Sequence, residues 1–100
     1  MIARIWQGRI RAQDVHAYRE YIARTGLTDY RRTPGNRGAE MLTRVEGELA
    51  HVLTLSFWDD LDSIRGFAGD DVTRARYYPE DERFLLDFPE RVEHFEVLSE

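Results

Sequence analysis

His51-Val52-Leu53-Thr54-Leu55-Ser56-Phe57-Trp58 alternates with a period of two, so that Leu53, Leu55 and Phe57 fall on one side of an extended chain and Val52 and Trp58 on the other. Apolar groups on both sides describe a strand that must be covered twice. Three further runs read the same way. Residues 2–10 set Ile2, Arg4, Trp6, Gly8 and Ile10 against Ala3, Ile5, Gln7 and Arg9, and residues 37–46 set Ala39, Met41, Thr43 and Val45 against Glu40, Leu42 and Arg44. After Pro89, the residues Val92, Phe95, Val97 and Leu98 alternate imperfectly with Arg91, Glu93, His94 and Glu96. The turn Glu46-Gly47-Glu48 joins the second strand to the third as a hairpin.

Between the strands the period changes. Val15, Tyr18 and Ile22, flanked by Ala17 and Tyr21, form a helical stripe over residues 13–25, with Gly26 as its C-terminal cap. A short turn over 28–32 follows and is broken by Thr33-Pro34-Gly35-Asn36. Asp59, Asp60 and Asp62 precede Leu61, Ile64, Phe67 and Ala68, placing carboxylates at a helix start, and Gly69 ends that helix. Asp70 or Asp71 caps a further turn carrying Val72 and Ala75. Pro79, with Glu80, Asp81 and Glu82, opens a last short helix whose buried side is Phe84, Leu85 and Leu86.

The order strand, helix, strand, strand, helix, strand predicts an α+β, ferredoxin-like βαββαβ fold: a four-stranded antiparallel sheet with its helices on one face. The 100 residues form one domain, 1–100, and supply helices for that face alone. A second copy of the chain is the economical cover for the other face, so the sequence predicts a homodimer closed through its sheets into a barrel. If Ile5 and Gln7 point at the helices, then Ile2, Trp6, Ile10 and Trp58 form the dimer face; core packing is the other reading of Trp6 and Trp58.

Composition narrows the chemistry. Without cysteine there are no disulfides, thiolate nucleophiles or Cys-ligated metals, which suits a reducing cytoplasm. A formal charge of −5, with arginine carrying the basic charge, argues against nucleic acid. No run is long and apolar enough for a membrane span, and no leader pattern opens the chain. His16, His51 and His94 are far apart and make a poor metal set, and the acidic clusters at 59–62 and 80–82 read as solvated helix caps, so no metal is expected. Gly35 and Gly38 lack dinucleotide-loop spacing.

The βαββαβ pattern, the strand ending Leu55-Ser56-Phe57-Trp58-Asp59, the helix ending near Phe67, the Asp71-Val72-x-x-Ala75 turn and the last apolar strand together resemble the antibiotic biosynthesis monooxygenase (ABM) domain over essentially the whole chain. The resemblance implies a ferredoxin-like homodimer with a pocket between sheet and helices. It also implies either cofactor-independent oxygenation of an aromatic or polyketide-like molecule or oxidative haem degradation, while other relatives have no known activity. Aligned by pattern, the Asn, Trp and His of the haem-degrading relatives become Gln7, Phe67 and Tyr77 here. All three differ, which counts against haem cleavage and leaves a Tyr77 or Tyr78 phenolate as the haem-ligand alternative.

Gln7, Tyr77 and Tyr78 are therefore the expected catalytic residues, with no cofactor: Gln7 to orient a substrate carbonyl or dioxygen, the tyrosines to donate to a substrate oxygen or stack on its ring. Gln7 equally fits an amide satisfied by backbone or water, and the tyrosines equally fit aromatics that cork a helix end. Arg9, pointing inward, would stabilise an enolate. Phe57, Phe67 and Phe84 would line the pocket. A ligand-binding or stress-associated homodimer without turnover is the alternative from another functional class.

Overall fold

β1 (Ile2–Arg11) lies between β3 (Leu49–Trp58) and β4 (Glu93–Glu96), and β2 (Asn36–Glu46) flanks β3 on its outer side, in a computed structural model that describes residues 1–98. The last two residues of the expected 1–100 domain fall outside that range. Strand order β2-β3-β1-β4, with every neighbouring pair antiparallel, is the ferredoxin-like arrangement read from the sequence. The helices are α1 (Val15–Arg24, entered through a 3-10 turn at Ala12–Asp14), α2 (Gly26–Arg32), α3 (Leu61–Ala68) and α4 (Asp81–Phe84).

Local chemistry sets these boundaries. Glu46 pairs with Leu49, leaving a two-residue hairpin turn in which Gly47 takes φ +62°, a conformation costly for side-chain-bearing residues. The Ser63 N–H donates to Asp60 Oδ1 at 2.8 Å while the Ser63 hydroxyl reaches back to the Asp60 backbone, closing a capping box at the start of α3. Gly26, expected as a cap, is instead the first residue of α2; the backbone turns at Thr25, whose hydroxyl donates to the Tyr21 carbonyl at 2.7 Å. The final strand is shorter than its apolar pattern suggested, with four paired residues.

All four helices cover one face. Tyr18, Tyr21 and Ile22 of α1, Leu27 and Tyr30 of α2, Ile64 and Phe67 of α3, and Phe84 of α4 join Trp6, Ile10, Ala39, Ala50, Val52 and Trp58 of the sheet in one core. The assignment of faces is thus the reverse of the sequence expectation: Trp6, Ile10 and Trp58 point at the helices, whereas Ile5, Gln7, Leu53, Leu55 and Phe57 lie on the open face. The reason is volume. The helices bring large rings to the interface, so β3 places Ala50, Val52, Thr54 and Ser56 beneath them, and the two hydroxyls are satisfied by Tyr30 Oη at 3.0 Å and Trp58 Nε1 at 2.9 Å.

The open face keeps its apolar character with different residues. Leu53, Leu55, Phe57 and Ile5 are half-buried there, joined across the strands by Leu42 and Phe95, which are 44% and 52% exposed. This is a contiguous apolar surface without a covering layer among the described residues.

Candidate functional site

The sheet separates the expected site residues into two groups. Gln7, Arg9 and Phe57 are on the open face. Gln7 is exposed in a row with Leu53 and Leu42, and Arg9 forks onto Asp87 Oδ2 through Nε at 3.1 Å and Nη2 at 3.0 Å. Phe57 lies between Ala3 and Gly38. Tyr77, Tyr78, Phe67 and Phe84 are on the helix side. The structure therefore does not bring Gln7 or Arg9 to the tyrosines.

Phe67 and Phe84 are tightly engaged. The Phe67 ring sits 4.3 Å from that of Tyr30, with the Arg76 guanidinium 4.9 Å from its centroid, and Phe84 lies 5.1 Å from Tyr18 and 5.9 Å from Tyr21. Between these clusters is a cavity of about 30 Å³ bounded by Trp6 and Thr54 from the sheet, Tyr18, Ile22 and Gly26 from α1 and α2, and Arg76, Tyr77, Tyr78 and Asp81 from the segment that leads into α4. The two expected tyrosines meet here.

Their hydroxyls are already committed. Tyr77 Oη accepts from Trp6 Nε1 at 3.1 Å and donates to the Pro89 carbonyl at 2.5 Å. Tyr78 Oη donates to Asp29 Oδ2 at 2.6 Å, and Arg76 Nη2 reaches the same oxygen at 3.4 Å, so Asp29 latches the cavity's outer wall to α2. Burial pushes both phenols above their ordinary range, aided for Tyr78 by the hydrogen bond to Asp29. Any other partner for either phenol, the iron of the haem-ligand alternative included, would have to displace the Pro89 carbonyl or Asp29.

Asp81 is the residue that sequence reasoning misplaced. The run Glu80-Asp81-Glu82 reads as a solvated cap, a description that fits the exposed Asp60, Asp62 and Glu82, yet Asp81 is 3% exposed. Tyr18 Oη donates to its Oδ1 at 3.1 Å and the Tyr78 N–H to its Oδ2 at 2.7 Å. Burial raises its carboxyl above the usual range, against the pull of those two donors, and raises the Tyr18 phenol as well. The signal in the sequence was the placement of Asp81 within one turn of Phe84 and Leu85, which puts it on the same inward side.

A second buried charge lies in the same layer. Arg4, 1% exposed, donates to the carbonyls of Val72 at 2.5 Å and Arg74 at 2.9 Å and lies 3.1 Å from His94 Nε2, while its Nε has no partner. A guanidinium has only donors, so His94 Nε2 is the acceptor and the ring is neutral. Desolvation, then the Arg4 charge, lowers His94 below its ordinary value. Arg4 thereby pins the 72–74 backbone, which leads into Arg76, Tyr77 and Tyr78, to the sheet. Among the described residues no three His, Cys, Asp or Glu side chains gather to hold a metal ion, and no helix is long and apolar enough to cross a membrane.

No family model matches the chain, and no curated protein matches it. Among solved structures the chain is similar to the "putative antibiotic biosynthesis monooxygenase" of Nitrosomonas europaea, with 15% identity, 99% of this chain and 100% of that chain covered, and a TM-score of 0.64. At that identity the likeness concerns backbone architecture, and it runs from end to end: the chain has the ferredoxin-like α+β fold of that protein.

Proposed function

We propose that the protein is a homodimeric oxygenase of the ABM type that oxidises an aromatic or polyketide-like molecule between sheet and helices without a metal or flavin. The observation that supports this reading best is the small cavity at Trp6, Tyr18, Thr54, Tyr77, Tyr78 and Asp81, set in a fold shared along its full length with the Nitrosomonas protein. In such chemistry the ionised substrate supplies the electrons. A methylene carbon between two rings becomes a carbonyl, one atom of dioxygen enters that carbon, and the other leaves as water with the two hydrogens. The protein's part is to exclude water and fix the substrate's orientation against a preorganised polar wall. Tyr77 and Tyr78 serve in that wall, and Phe67 and Phe84 stiffen it. Gln7, Arg9 and Phe57 belong to the open face, where pairing with a second copy would cover Leu53, Leu55 and Phe95.

The size of the cavity favours a second reading, a dimer that binds a small ligand without turnover. About 30 Å³ holds roughly one or two waters, whereas sites for drug-sized molecules measure about 300–1,000 Å³. The oxygenase reading therefore needs the wall at 76–81 to swing outward from its Asp29 latch. Oxygen uptake with 1,8-dihydroxyanthrone and a panel of naphthols distinguishes the two: the oxygenase consumes one dioxygen per quinone formed, and uptake at the protein-free rate across the panel overturns it.

A further inference from the structure

Of the polar side chains around the interlayer cavity, Asp81 alone combines acceptor capacity with a charge that nothing neutralises. Tyr77 and Tyr78 spend their protons on Pro89 and Asp29. Thr54 Oγ1 shares a hydrogen bond with Tyr30. A carboxylate offers about four acceptor positions, and Asp81 has two of them filled, by Tyr18 and by the Tyr78 amide. No arginine or histidine forms an ion pair with it among the described residues. The groups that face it are the phenols of Tyr18 and Tyr77, the Tyr78 amide, and the Arg76 guanidinium on the same cavity rim; the sheet contributes Trp6 and Thr54, neither of them charged. A buried carboxylate without a counter-charge is held at a cost, and taking up a proton relieves it.

We propose that Asp81, oriented by the Tyr18 hydroxyl and the Tyr78 amide, accepts the proton of a phenolic or enolic hydroxyl on the molecule bound between sheet and helices. The substrate O–H bond breaks, its electron pair stays on the substrate oxygen, and the proton forms the Asp81 O–H. Burial raises the affinity of Asp81 for that proton, which brings donor and acceptor closer in strength. The site thus selects molecules with an acidic hydroxyl. A methoxy analogue of the same shape would bind without being activated. This inference rests on the reading that a small organic molecule enters the interlayer, and it would hold for a binding protein as well as for an oxygenase.

The test uses 4-nitrophenol on the intact protein below the probe's own pKa. Binding is followed by quenching of tryptophan fluorescence, and ionisation by the phenolate absorbance band. The wild-type protein is expected to bind the probe with a phenolate fraction at least tenfold above that of the free probe. Asp81→Asn, which keeps the side-chain volume and the Tyr18 hydrogen bond, should bind within a few-fold of wild type and lose the band. Glu80→Gln, a neighbouring charge removed outside the cavity, should retain it. Circular dichroism confirms that each variant is folded. Quenching with the probe neutral in both wild type and Asp81→Asn overturns the role of Asp81 and leaves the ligand site standing. Absence of quenching by 4-nitrophenol overturns the interlayer site and the inference together. Loss of the band in Glu80→Gln assigns the effect to general charge and also overturns it.

Discussion

Gly8 occupies the helix-facing side of β1 directly across from Val52, and a Cβ built there would lie 2.6 and 2.8 Å from Cη2 and Cζ2 of Trp6 and 3.3 Å from Cδ2 of Leu85. Carbon atoms in contact prefer about 3.5–4.0 Å, so Gly8→Ala requires the Trp6 ring to shift by about 1 Å. Overpacking of this kind costs roughly 1–3 kcal/mol, and replacing a strand glycine by alanine returns about 0.5–1 kcal/mol of backbone entropy. At the middle of both ranges the net expectation is a loss of about 1 kcal/mol, which for a domain of this length lowers Tm by roughly 4–8 °C. Moving Trp6 also breaks its donation to Tyr77 Oη, so the near-UV circular dichroism of the aromatic cluster should change before the far-UV signal melts. Thermal scans at one fixed protein concentration measure both. A Gly8→Ala variant that melts at or above the parent temperature, with an unaltered near-UV spectrum, would refute the claim that Trp6 is held against the backbone at Gly8.

Leu55→Glu places a carboxylate in the middle of the open apolar face; sedimentation should show weaker self-association with unchanged far-UV signal, and an unchanged association constant counts against pairing through that face. Ser56→Ala leaves the fully buried Trp58 indole N–H without its acceptor, a loss of about 1–3 kcal/mol readable in urea unfolding. His94 has a folded pKa below its ordinary 6.5, so the native state binds fewer protons than the unfolded chain between those two values. Stability is then full above pH 6.5 and falls as pH drops through the window towards the folded pKa. His94→Gln, which retains an acceptor for Arg4, should lack this component when urea midpoints are compared across that window; identical pH slopes would exclude His94 as its source.

Strand and helix identities were legible because their periods differ, and the capping box at Asp60 and Ser63 and the turn at Gly47 carry local chemistry that no tertiary contact has to supply. The face of the sheet was not. Setting Ile5 and Gln7 against the helices assigns Trp6, Ile10 and Trp58 to the dimer face, but Tyr18, Tyr21, Tyr30 and Phe67 of the helices lie over the small residues Ala50, Val52, Thr54 and Ser56, with Trp58 closing the end of the strand against Tyr30. That inversion moved Gln7 and Arg9 out of the interlayer and admitted Trp6 and Arg4. Tyr77, aligned from the family pattern, and Tyr78, read from its place before Pro79, both line the cavity. Asp81 was hidden because a carboxylate beside Pro79 and Glu80 is usually a cap; only the turn of α4 that buries Phe84 and Leu85 carries it inward. Arg4 was overlooked for the same kind of reason, since its acceptors are carbonyls distant in sequence.

The sheet is unevenly stitched. Ten residue pairs join β2 to β3 across a two-residue turn, while four join β4 to β1 across nearly the full chain length. Loop closure makes the first cheap and the second expensive, so the C-terminal ribbon should dock late in folding and detach at the lowest free energy, its amides exchanging with deuterium well before those of β3. Pro89 lies on that ribbon's approach, tied to Tyr77. Transient peeling of the ribbon would free the Pro89 carbonyl from Tyr77 and so loosen the 76–81 wall whose outward swing admits a guest molecule, tying the rate of entry to the frequency of such fraying.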